Sequence, residues 1–216
     1  MSSLGEVCHL IRVLDKIAEP RRNIYPGFNK AHVFLAIKWI SQSPRSRFFL
    51  EKNLEIGEAS VKTLIRRLKE EGLVETSKYS GSTATEKGSY IARELDSHIR
   101  IYKAVCNPTS NHDLLSIMPN VPPPKEMIEV YALRDYLVRS GCDVSLIGGY
   151  HSNELHAPGI DSNYIEDLRK CIDASVDYDF KAVAKAVASQ GIFVFFPRNK
   201  LSRCLDGILS FLLSKC

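Results

Sequence analysis

The stretch LEIGEASVKTLIRRLKEEGLVETSKYSGSTATEKG, residues 54–88, decides how this chain is read. From Glu58 onward Val61, Leu64, Ile65 and Leu68 recur at three- and four-residue spacing, which predicts a helix with one buried face. Gly57 marks a turn before it, Glu58 suits the positive end of the helix dipole, and Gly72 is a stop signal. Residues 73–78 then alternate apolar and polar, as a half-buried strand does. Residues 79–82 read as a turn, and Thr83 and Ala84 return as a short strand. A further helix starts at residues 85–88 and carries Ile91, Leu95 and Ile99.

Upstream, Val33, Phe34, Ile37 and Ile40 stripe a helix that Asn29 can cap, and Ser43-Pro44 stops it. A short segment, residues 46–54, leads into the Gly57 turn. Helix, short helix, turn, helix, strand, turn, strand, helix is the layout of a winged helix-turn-helix, whose second helix buries one face and offers the other to the DNA major groove. On the predicted helix Ala59, Lys62, Thr63 and Arg66 lie outward, with Arg67 on a flank, and these residues with Ser60 are the candidate DNA contacts of the helix. Ala59 and Thr63 are small enough to touch a thymine methyl, and Lys62 and Arg66 can reach phosphates or guanine edges. Lys78, Tyr79, Ser80 and Ser82 are the candidate wing contacts.

The run Leu54, Gly57, Glu58, Ser60, Val61, Thr63, Leu64, Leu68 resembles the L-x-L-G-E-x-S-V-R-T-L-L-x-x-L stretch of an archaeal winged-helix family of transcriptional regulators that carry a C-terminal domain of unknown function. Thr85, Lys87 and Gly88 match that family's T-x-K-G helix start. Residues 132–147, with their L-R-D, and the ending GIFVFF plus a last apolar helix are similar to its second half. The resemblance implies a DNA-binding regulator. The helix over residues 4–18 and the pair Phe48-Phe49 depart from the pattern.

The second half alternates elements. Residues 126–141 read as a helix, 143–150 as a strand, 154–159 as a short strand, and 162–172 and 180–189 as helices. GIFVFF, residues 191–196, is a central strand buried on both faces, and Leu201, Leu205, Ile208, Leu209 and Leu212 stripe the last helix. The fold class is therefore α+β. An N-terminal helix and linker (1–28) precede a mainly α winged helix-turn-helix (29–104) and a small mixed α+β domain (105–216). Charge divides the same way: residues 1–104 hold 18 basic and 12 acidic side chains, residues 105–216 hold 11 and 13. A basic module aimed at a polyanion suits the first half.

Other chemistries leave weaker traces. His151, Glu154, His156 and Asp161 lie close in sequence and form a weak candidate metal set, but a polar hairpin turn is the favoured reading, so no metal is expected. Gly148-Gly149 lacks the context of a phosphate-binding loop and reads as a bulge or strand end. No nucleophile elbow and no H-E-x-x-H occurs, so no enzyme activity and no cofactor are expected. The six cysteines have no C-x-x-C spacing and read as reduced, buried thiols of a cytoplasmic protein, with Cys216 free. No run reaches the ~18 apolar residues of a membrane span.

Double-stranded DNA is the expected partner. A homodimer is expected too, its seam formed first by Val7, Leu10, Leu14 and Ile17 or else by the last helix. The second domain is expected either to dimerise or to sense a small-molecule effector. The alternatives are an enzyme with an accessory winged helix and a protein-interaction module of a transcription assembly.

Overall fold

The computed structural model describes residues 4–77, 79–104, 114–119, 121–123, 127–143, 146–151, 154–157, 159–176 and 190–216. It is an α+β chain, as the sequence implies. Two compact units divide it, one formed by residues 1–96 with 209–216, the other by residues 97–208.

The first unit holds α1 (Leu4–Ala18), α2 (Lys30–Gln42), α3 (Arg47–Leu54), α4 (Glu58–Glu70), the strands β1 (Val74–Ser77) and β2 (Gly81–Ala84), and most of α5 (Glu86–His98). Helix α2 is the centre of its core, with Val33, Phe34, Ala36 and Ile37 fully enclosed. Asn29 caps it as expected, in a capping box: His32 N–H donates to Asn29 Oδ1 and Asn29 N–H to His32 Nδ1, each at 3.1 Å.

Helix α1 corrects the proposed dimer seam. Val7, Leu10, Ile11, Leu14 and Ile17 are already buried inside the single chain, so they are core residues and leave no apolar face for a second copy. Leu205, Ile208, Leu209 and Leu212 of the last helix are buried too. A three-and-four stripe specifies burial but does not say against what.

β1 and β2 pair antiparallel from Val74↔Ala84 to Ser77↔Gly81. Arg45 adds a one-residue bridge on the other side of β2, exchanging backbone hydrogen bonds with Ser82 at 2.8 and 3.0 Å. Gly81, at φ 83°, lies so close to the Arg45 carbonyl that a Cβ would sit 2.5 Å from it. Ser82 is therefore buried between strands and is no surface contact.

The T-x-K-G run has a structural cause. Thr85 Oγ1 donates to the Gly72 carbonyl at 2.8 Å and accepts from Gly88 N–H at 3.1 Å. Lys87 Nζ donates to the Glu71 carbonyl, and a Cβ on Gly88 would lie 2.1 Å from the Leu73 oxygen. All three residues clamp the start of α5 onto the carbonyls that follow α4.

The second unit is a five-stranded, wholly antiparallel sheet in the order β3 (Arg100–Lys103), β4 (Leu114–Pro119), β7 (Gln190–Phe196), β5 (Leu146–His151), β6 (Glu154–His156). GIFVFF is the central strand, as read. On one face Leu115, Ile117, Tyr150, Phe193 and Phe195 pack with Leu168, Cys171 and Ile172 of α7 (Ser162–Val176). Alternation sends Met118, Ile192, Val194 and Phe196 to the other face, where they are buried as well. Helices α6 (Met127–Arg139) and α8 (Leu201–Ser214) cross closely, because a Cβ on Gly207 would come within 2.7 Å of Leu137 Cα.

Strands β3 and β4 are absent from the sequence reading, which places a helix through Ile99 and no strand directly after it. The expected helix over 180–189 lies outside the described residues. Gly148 is neither bulge nor phosphate loop: it pairs with Phe193 across the sheet, and the Phe193 ring occupies the space of its missing side chain, 2.2 Å from where a Cβ would stand.

The expectation of reduced thiols is also corrected. Cys8 is joined to Cys216 and Cys142 to Cys204, and among the described residues none is a free thiol. Each pair is far apart in sequence, so spacing could not show it. Among the described residues no helix is long and apolar enough to cross a membrane.

Candidate nucleic-acid interface

Helix α4 positions the site. Val61, Leu64, Ile65 and Leu68 fill the core of the first unit and fix the rotation of the helix. Ala59, Lys62 and Arg66 are thereby left exposed and Thr63 half-buried. Thr63 Oγ1 donates to the Ala59 carbonyl at 3.0 Å, a bond within the helix that uses its only hydroxyl proton. Tyr79, 92% exposed, and Ser80 stand at the turn between β1 and β2. Lys78 lies outside the described residues.

The exposed cations are not isolated. Lys62 Nζ is 2.8 Å from Glu58, whose carboxyl this bond holds below the usual range. Arg66 lies 3.8 Å from Glu70, and Arg21 donates to the same carboxylate at 2.5 Å, which lowers its pKa. Both pairs lie in solvent, where water and salt weaken them.

One expected contact is corrected. Arg67 is 3% exposed and turns inward. Its Nη1 donates to the carbonyls of Ile17 and Glu19, each at 2.6 Å, and its guanidinium stands 5.5 Å from the centre of the Phe28 ring. These are orphan carbonyls at the end of α1, so Arg67 caps that helix. Burial is the main cause of its lowered pKa. Ser60 is half-buried under the backbone of Gly27, where a Cβ would stand 2.4 Å from Ser60 Oγ.

That contact leads to a feature the sequence reading passed over as a plain linker. Arg21 and Ile24 exchange backbone hydrogen bonds at 3.2 and 3.0 Å around Arg22 and Asn23, which stand at φ 52° and 61°. Two positive-φ residues at the tip make a tight turn of the I′ kind. Asn23 tolerates that region, whereas a left-handed arginine costs roughly 1–2 kcal/mol. Between this turn and α4 opens a cleft of about 560 Å³, lined by Arg21, Arg22, Ile24, Tyr25, Pro26, Gly27, Ala59, Ser60, Thr63, Arg66 and Arg67. Four of these are arginines and none is acidic.

The metal candidates do not assemble. β5 and β6 set His151 opposite Glu154, and His156 Nε2 is 3.8 Å from Glu154, but among the described residues no three ligand-type side chains converge. Asp161 instead starts α7, its carbonyl accepting from the Ile165 N–H.

The α+β architecture has a solved counterpart. The chain is similar to the structure titled "Hypothetical protein PH0730 from Pyrococcus horikoshii OT3", with 19% sequence identity and a TM-score of 0.57, over 84% of this chain and 90% of that one. At that identity the likeness concerns the fold alone. No family model and no curated protein matches the chain.

Proposed function

We propose that this chain is a DNA-binding transcriptional regulator of the winged-helix kind, as its resemblance to the archaeal family implies. Residues 29–96 act as the winged helix-turn-helix, α4 enters the major groove, and the β1–β2 turn with Lys78, Tyr79 and Ser80 acts as the wing. The second unit dimerises or senses a small-molecule effector, and the chain carries out no catalytic step.

One observation carries the reading. Helix α4 has four core residues on one face and leaves Lys62 and Arg66 exposed and Thr63 half-buried on the other side, so Lys62 and Arg66 cannot turn into the core. Lys62 and Arg66 are one turn apart and rise one above the other, a spacing that lets them meet successive groups along a groove. The Arg45–Ser82 bridge supports it, because it anchors the hairpin beside the helices.

The test is fluorescence anisotropy of the intact chain with labelled duplex DNA at several salt concentrations. The reading expects binding that falls linearly on a log–log plot with a slope of about −0.9 per phosphate contacted. Absence of binding at about 50 mM salt overturns it.

A further inference from the structure

Resting on that reading of α4, we propose that the turn at residues 21–24 is a second DNA-contacting element, in which Arg22 meets a backbone phosphate flanking the stretch that α4 reads and the cleft beside it receives the strand.

The cleft has α4 on one side, with Thr63 and Arg66, and the turn on the other, with Arg21, Arg22 and Tyr25. A strand lying along the exposed face of α4 therefore passes its mouth. Four arginines line it without a carboxylate, and Glu70 offsets part of that charge through Arg21 and Arg66. A concave wall of one sign concentrates the opposite charge. At about 560 Å³ the space exceeds what a single phosphate needs and accommodates backbone with its sugars.

The turn is also held in place. The paired Arg21–Ile24 bonds close its tip, and the backbone of Gly27 rests on Ser60 of α4. Arg22 is thus presented from a fixed point, in a left-handed conformation that a plain linker has no reason to keep. Tyr25 beside it is 82% exposed.

The test uses the intact chain, a fluorescein-labelled duplex of random sequence, and salt at about 50 and about 200 mM. Arg22→Asn removes the charge but suits the left-handed turn, so it folds; a thermal melt at or above the parent's verifies this. Arg22→Lys keeps the charge. Arg22→Asn is expected to weaken binding and to reduce the salt slope by about 1, one phosphate contact, while Arg22→Lys retains the slope. Arg66→Ala is the reference. If Arg66→Ala weakens binding and Arg22→Asn does not, the turn is no DNA element and the reading of α4 stands. If neither variant weakens binding, both fall. Equal losses in Arg22→Asn and Arg22→Lys overturn a role for the charge.

Discussion

Arg67 of α4 donates two hydrogen bonds to the end of α1, the first to the Ile17 carbonyl at 2.6 Å, from a site where water cannot replace it. Its neighbour Arg66 points to solvent. Two adjacent arginines on one helix are thus placed oppositely, one holding the unit together and one exposed to solvent.

Arg67→Met is expected to destabilise the first unit by about 2–4 kcal/mol, because it strands the buried Ile17 carbonyl and removes the bond to that of Glu19. Urea unfolding measures this. DNA affinity of the folded protein should be unchanged within about twofold. A large loss of affinity without loss of stability would place Arg67 in the interface after all.

The Cys8–Cys216 bond spans a separation of 208 residues. A loop that long constrains the unfolded chain strongly, so Cys8→Ser is expected to cost about 3–5 kcal/mol in non-reducing buffer and nothing further in strong reductant. Thiol titration of the unfolded, unreduced protein should find neither Cys8 nor Cys216 reactive. Full reactivity of both would refute the pairing.

Gly88→Ala should cost roughly 1–3 kcal/mol, since its Cβ would overlap the Leu73 carbonyl, and α5 would have to lift from β1. A melting temperature equal to the parent's would show that α5 does not depend on this close approach.

Much of the first unit was legible in the residues. Asn29 announced its cap, and Val61 to Leu68 announced a buried face. Those signals are local, and the helix periodicity carries them. Strands β3 and β4 were not legible: Tyr102 continues the spacing of the helix before it, and Ser116 interrupts an apolar run whose burial is decided by β7 across the sheet. In the site, Lys62, Thr63 and Arg66 follow from rotation of α4 alone. Arg67 and the disulfide partners do not, because their contacts come from residues at least 48 positions away. The cleft was missed for the same reason, although Arg21-Arg22 ahead of Pro26-Gly27 was a signal of charge on a turn.

The carboxylates Glu58 and Glu70 are both held below their ordinary value of 4.5 by cations, Lys62 first for one and Arg21 first for the other. A lowered folded pKa stabilises the protein above the unfolded value, and that contribution is lost as pH falls through the folded one. Stability should therefore decline from about pH 4.5 downward, and less steeply in Glu58→Gln and Glu70→Gln. At neutral pH the same two variants remove a charge that competes with phosphate. Each is expected to raise DNA affinity several-fold at low salt, with the gain shrinking at high salt. Unchanged affinity in both would mean that Lys62 and Arg66 do not face DNA.

The most direct test of the account is the affinity of Arg66→Ala for duplex DNA, by anisotropy, on a selected site and on random sequence. Arg66 lies exposed on the face opposite the core, so its loss should leave the melting temperature unchanged. The account predicts a loss of about 1–3 kcal/mol on the selected site and weaker discrimination between the two duplexes. Wild-type affinity and discrimination in Arg66→Ala would contradict it, and α4 would then have no part in reading DNA.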